Sequence, residues 1–200
     1  MKMFFTFIIT LTFMITVAMI SAPAQSLSQE QPKREIVIYG GINDAIANSI
    51  VQQIRAYNKT GNEQIVLKLI SSPGGSVYAG LQIYDAMQES DAPIKTVCES
   101  YCMSMAAVLL TAGDVRETSQ NTTIMYHQLS MGIGGGKLND LINVVGEGIR
   151  LQGVIDEILS KHSGLDVGQI RELESVDRYL SPHTAKALGL IDEVREYADK

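Results

Sequence analysis

Histidine and cysteine are both scarce in this 200-residue chain, with three of the first and two of the second. The cysteines, Cys98 and Cys102, have no histidine close by in sequence. Two thiols without an imidazole partner do not make a zinc site, so no metal is expected, and no cofactor motif is apparent. Their spacing leaves a disulfide open, because four residues of separation do not establish the necessary geometry. Two small buried thiols beside a helix start fit equally well. Basic clustering is also absent. Sixteen Lys and Arg stand against 22 Asp and Glu, a formal charge of −6, with no basic stripe, which argues against nucleic-acid binding. There is no internal repeat.

What is present is an ordinary globular composition, 46% hydrophobic and 19% charged, long enough for one domain with a sizeable core. The first stretch stands apart. Met1-Lys2 carries one positive charge, Met3 to Ile20 is apolar apart from threonines, and Ser21-Ala22-Pro23-Ala24 places small residues at 22 and 24. This is the three-part pattern of a secretory signal, expected to span 1–24 and to be cut after Ala24. The alternative is a retained anchor, since the run of roughly 18 apolar residues is at the low edge of spanning length. In either case the remainder is expected outside the cytoplasm, as a periplasmic or secreted protein. Residues 25–34 read as a Gln-, Ser- and Pro-rich linker, and 35–200 as the folded domain.

From there strand and helix patterns alternate. Strands are expected at Glu35–Tyr39, Gln64–Ile70, Pro93–Cys98, Thr122–Tyr126 and Ile191–Val194. Between them lie helical stretches: one capped by Asn43 and carrying Ile46, Ile50 and Ile54, one carrying Leu81, Ile83, Tyr84 and Met87, and a small apolar one from Met103 to Ala112. A long pattern runs from Lys137 to His162, a short one from Asp166 to Leu173, and a last one from Ser181-Pro182 to Gly189. Gly146, Gly148 and Gly153 each weaken the long helix by about 1 kcal/mol relative to alanine, so it calls for a supporting surface. The alternation predicts an α/β fold with a parallel sheet.

Pro73-Gly74-Gly75 sits between a strand and a helix. On pattern alone it is a turn, but its uncovered N–H groups near a helix start could also stabilise an anion. Ser104 opens the small apolar helix, where a serine is ordinarily a cap. Held rigidly there, its hydroxyl could instead act as a nucleophile, with the Met105 and Gly75 N–H groups as an oxyanion hole worth about 3 kcal/mol per donor. Such a hydroxyl needs a base. His127 ends a strand before the Gly132–Gly136 loop; His162 reads as a cation at a helix C-terminus, and His183 as a surface residue. Asp177 is one of many acids that could orient the base, or it could pair with an arginine nearby.

Several segments in register resemble the proteolytic subunit of the Clp protease family. They are Ser72-Pro73-Gly74-Gly75-Ser76-Val77, Ala79-Gly80, Ile83-Tyr84-Asp85-Ala86-Met87, Ser104 through Gly113, Met125-Tyr126-His127-Gln128, Asp177-Arg178-Tyr179-Leu180-Ser181 and Ala187 through Asp192. The resemblance is collinear from about Ile36 to Val194. It implies a crotonase/Clp-protease-like ββα superhelix with a protruding helical handle, here the helix from Lys137. It implies a serine endopeptidase acting on peptides or unfolded proteins, with Ser104 as nucleophile, His127 as base, Asp177 orienting His127, and Gly75 and Met105 as oxyanion donors. Gly74 and the loop residues Gly132, Ile133 and Gly134 are implied to lie beside bound peptide, which adds as a strand. Heptameric rings of identical subunits are implied as well.

The chain departs from that pattern in three places. It carries an export signal, unlike a family that is normally cytoplasmic or organellar. The segment ahead of Ile36 is short, which counts against an AAA+ unfoldase partner. Leu129 stands where a proline usually follows His-Gln, and the handle is rich in glycine. Three other readings stay open: a serine–lysine peptidase of the signal-peptide-peptidase type using Lys68, Lys95 or Lys137, a crotonase-type CoA-thioester enzyme, and a non-catalytic ring subunit.

Overall fold

The structure is a computed structural model that describes residues 33–132 and 134–197. The expected signal segment and all of the linker but its last two residues lie outside the described residues, as does Ile133. Five strand pairings are parallel and one is antiparallel. Strands β1 (Glu35–Tyr39), β2 (Ile65–Ser72) and β3 (Ile94–Met103) lie side by side, followed by β4 (Val115–Ser119) and β7 (Glu193–Arg195). A branch carries β5 (Thr123–Tyr126) beside the far end of β3, with β6 (Arg178–Leu180) antiparallel to it. This is the parallel α/β architecture that the alternating pattern predicts.

Helix α1 (Asp44–Asn58) starts where Asn43 Oδ1 accepts the Ile46 N–H at 3.0 Å, and it buries Ala47, Ile50, Val51 and Ile54. It packs beside α2 (Val77–Gln88), which Ser76 caps. Their apolar faces meet the core lined by Ile36, Ile38, Leu67, Leu69 and Ile94. Helix α3 (Met105–Thr111) is buried at all seven positions, so the segment after Ser104 is a central packing element rather than a surface turn. Helix α5 (Val167–Leu173) closes a capping box between Asp166 and Gln169, and α6 (Pro182–Ala187) starts with Pro182 behind Ser181.

The long helix α4 (Leu138–Ser163) divides along its length. Its second half buries Leu151, Ile155, Ile158 and Leu159, whereas Leu138, Ile142, Val145 and Ile149 of the first half are exposed. An exposed apolar stripe of that length calls for a covering surface.

Three expectations change. Strand β3 does not end at Cys98 but continues to Met103, so the small helix begins only at Met105. The strand bends at Ser100, which has φ 71°. Its first half therefore pairs with β4 and its second half with β5. Cys98 and Cys102 bracket this bend and are joined by a disulfide with Cα atoms 6.2 Å apart, within the usual range. Strands β4 and β6 were not anticipated. Neither alternates cleanly, one having a single buried position in five and the other one in three.

Arg116 of β4 ties the C-terminal elements to the sheet. Its guanidinium donates to both Asp192 oxygens, to His162 O at 2.7 Å and to Gly189 O at 2.8 Å. These bonds hold the Asp192 carboxyl below the usual carboxylate range. An acid with a depressed folded pKa adds stability above its unfolded pKa and loses it as pH falls through the folded value. Arg116→Leu should therefore cost about 2–3 kcal/mol near neutral pH in urea unfolding, with the loss shrinking below pH 4.

Candidate active site

Ser104 stands at the strand-to-helix corner between β3 and α3 with φ 54° and ψ −129°, a conformation that L-residues seldom adopt. Its hydroxyl makes no capping bond, so the role a serine ordinarily plays at a helix start is vacant here. The main chain holds the corner instead. Ser104 N donates to Met125 O at 2.9 Å, joining the nucleophile candidate to β5. Strained strand-to-helix turns of this kind present a nucleophile above a sheet.

The Pro73-Gly74-Gly75 turn packs against this corner. A Cβ on Gly74 would fall 2.8 Å from both Met105 N and Ser104 Cβ, and Gly74 has φ 86°. A Cβ on Gly75 would fall 2.2 Å from Ile42 O, at φ 150°. Only glycine satisfies both the space and the dihedral at these positions. The turn is fixed by Ile42 N donating to Gly74 O and Ser76 N to Ile42 O, at 2.8 and 2.9 Å. The Gly75 and Met105 N–H groups find no acceptor among the described residues. Two unspent donors beside one hydroxyl are what an oxyanion hole requires.

His127 follows the last residue of β5. The strand end is anchored by Tyr126, fully buried, whose hydroxyl bonds Thr111 of α3 at 2.7 Å. Burial pushes the Tyr126 hydroxyl far above its ordinary pKa, so it stays protonated. Ser104, Met105, Gly75 and His127 all line one cavity of about 280 Å³, together with Val77, Val108, Met125, Leu129 and Ile155. The wall is thus mostly apolar, fit for an aliphatic side chain.

Asp177 is placed differently. In the β5–β6 register Tyr126 faces Arg178, and one further step sets residue 177 across from residue 127. Asp177 is exposed, lies outside the cavity wall, and has no hydrogen bond to His127 among the described residues. Gly132 and Gly134 are also exposed and outside the wall, which Leu129 and Ser130 form in their stead. Of the lysines weighed as an alternative base, Lys68 pairs with Glu35 and Lys95 with Glu117, and no lysine lines the cavity.

His162 corrects its reading as a cation. Burial first, then the Lys161 and Arg116 charges, lower its pKa and so disfavour the cation, and the ring meets Tyr84 edge-on. His183 is exposed as expected.

Sequence reasoning missed Glu174. It lines the cavity while only 2% exposed, and it bonds the Gln152 side chain at 2.8 Å. Burial, then the Asp156 charge and hydrogen bond, push its carboxyl up to about 8. No short motif marks it, being one acid among 22. Between the unfolded carboxylate range and about pH 8 the native state keeps a proton that the unfolded chain releases. Stability must therefore fall as pH rises through that window and level off above it. Urea midpoints measured at pH 5, 6.5 and 8 should show this decline, and Glu174→Gln should flatten it.

Residues 22–198 match the family model described as Clp protease. Across 81% of its length the chain is 39% identical to the ATP-dependent Clp protease proteolytic subunit 1 of Salinibacter ruber, covering 70% of that protein. It is equally 39% identical to the ATP-dependent Clp protease proteolytic subunit of Deinococcus radiodurans, covering 80% of it.

Proposed function

This chain belongs to the Clp protease family and is a serine-type peptidase, and within that frame we propose that Ser104, His127 and Asp177 carry the reaction. The observation that supports this most is the shared cavity: an uncapped serine at positive φ, a histidine at the end of an anchored strand, and two N–H donors without acceptors. His127 takes the Ser104 proton as Oγ attacks the scissile carbonyl. The Gly75 and Met105 N–H groups receive the negative charge that forms on the carbonyl oxygen. His127 then hands its proton to the leaving amine, and water attacks the acyl-enzyme by the reverse route. Asp177, opposite His127 in the extended β5–β6 register, orients the ring once substrate and neighbouring subunits fill the site.

Substrates are peptides or unfolded protein chains. Extended peptide lies along the Leu129–Ser130 edge of the cavity, continuing toward the Gly132–Gly134 loop. The exposed apolar half of α4 supports assembly of identical subunits into rings. The two relatives are named as ATP-dependent; no unfoldase is assigned to this chain. The reading of an enzyme that works outside the cytoplasm is supported by the three-part pattern in residues 1–24.

The test joins probe labelling to size measurement. A fluorophosphonate should label Ser104 in the assembled wild-type protein, and Ser104→Ala should abolish both labelling and peptide turnover while far-UV circular dichroism stays unchanged. Asp177→Asn should lower kcat by about 10⁴-fold. Equal turnover by wild type and Ser104→Ala rules the assignment out, and activity surviving His127→Ala rules out its role as base.

A further inference from the structure

Helix α4 reaches the cavity through one amide side chain. Gln152 Oε1 accepts the Leu129 N–H at 2.6 Å, and Gln152 Nε2 donates to Asp156 Oδ1 at 2.6 Å and to Glu174 Oε2 at 2.8 Å. A main-chain N–H can only donate, so the amide orientation is determined and both its hydrogens are committed to carboxyl groups. Asp156, 1% exposed, is held on its other oxygen by Arg171 Nε at 2.8 Å. Burial and the neighbouring Asp156 push the Glu174 carboxyl up to about 8, so it is mostly protonated at neutral pH, and Arg171 pairs with Asp156. Glu174 also acts through its main chain, its carbonyl accepting the Gln128 N–H at 3.1 Å.

The two N–H groups that follow His127 are thus both fastened, residue 128 to the end of α5 and residue 129 to α4. A satisfied buried polar network of this kind is rigid, and one unmatched member in it is costly. The residues it holds belong to the cavity: Leu129 and Ser130 are in its wall and His127 immediately precedes them.

We propose that Gln152 is a positioning residue for catalysis: by accepting the Leu129 N–H and being braced by Asp156 and Glu174, it locks the main chain after His127 and so sets the imidazole against Ser104. The proposal rests on the peptidase reading of Ser104 and His127. Gln152 touches no substrate, and its effect passes through the backbone. Misplacement by about 1 Å can cost on the order of 10²-fold in rate, so the loss of one such lock is measurable.

The experiment is a double-mutant cycle between Gln152→Met, which keeps bulk and removes the acceptor, and Leu129→Pro, which removes the N–H. Peptide turnover, fluorophosphonate labelling of Ser104 and amide exchange are measured on the assembled full-length protein. Gln152→Met should lower kcat by about 10- to 100-fold with a smaller change in KM, and should speed exchange at the Leu129 amide. In the Leu129→Pro background the same substitution should cost less than about twofold, because no N–H remains to be held. Losses that multiply independently, or a Gln152→Met enzyme with wild-type kcat, overturn the proposal. If Gln152→Met does not fold, the wild-type protein decides alone: a Leu129 amide exchanging as fast as an exposed one refutes the lock, and a protected one supports it. Failure of the peptidase reading looks different, as absence of Ser104 labelling in wild type with normal Leu129 protection.

Discussion

Holding a non-glycine residue at positive φ costs about 1–3 kcal/mol, and Ser104 persists there because its surroundings permit nothing else. Gly74 packs against it so closely that a methyl group would collide. Met125 O takes its N–H, and α3, buried along its whole length, starts at the next residue. Upstream, the disulfide brackets the bend at Ser100 that swings β3 from β4 toward β5. The bend brings β5 beside Ser104, and β5 delivers His127. One strained corner thus determines where the hydroxyl points, where His127 stands and which two N–H groups are left over.

Charge is handled in two ways around that corner. On the C-terminal side Arg116 and Asp192 form a directly paired cluster whose remaining donors meet carbonyl oxygens, a stabilising arrangement at neutral pH. In the second cluster Asp156 is paired with Arg171, while Glu174 beside it, in the cavity wall, is buried and its carboxyl is pushed up to about 8. The first cluster holds elements together. The second costs stability as pH rises, and its members hold the two main-chain N–H groups that follow His127, which is reason to regard it as part of the site. Both use α4, whose second half joins the core while Leu138, Ile142, Val145 and Ile149 of its first half are exposed.

Legibility followed the length and contrast of each pattern. Helix α1 could be read because its isoleucines recur on one face and Asn43 caps it. Strand β3 was cut short at Cys98 because Glu99 and Ser100 look like a break. They bend the strand without ending it, since its second half finds a new neighbour in β5. Strand β6 is three residues with one buried, too brief for periodicity, and exists because β5 offers an edge. Ser104, His127, Gly75 and Met105, which the family resemblance singles out, line one cavity, whereas Asp177 lies outside its wall. Glu174 and Gln152 carry no such mark, because nothing local distinguishes a buried polar side chain from a solvated one.

The order of residues along the chain was enough to settle the alternation of strands and helices, the glycines at the turn and the small set of histidines from which a base could come. Those follow from local sterics and periodicity, which act over a few residues. Only the folded chain decided that the Ser104 hydroxyl would be left uncapped, that Glu174 would hold its proton, and that Leu129 would be tied to Gln152, 23 residues further on. Each of these depends on what is excluded from contact with water, and burial belongs to the packing of distant segments rather than to any one of them.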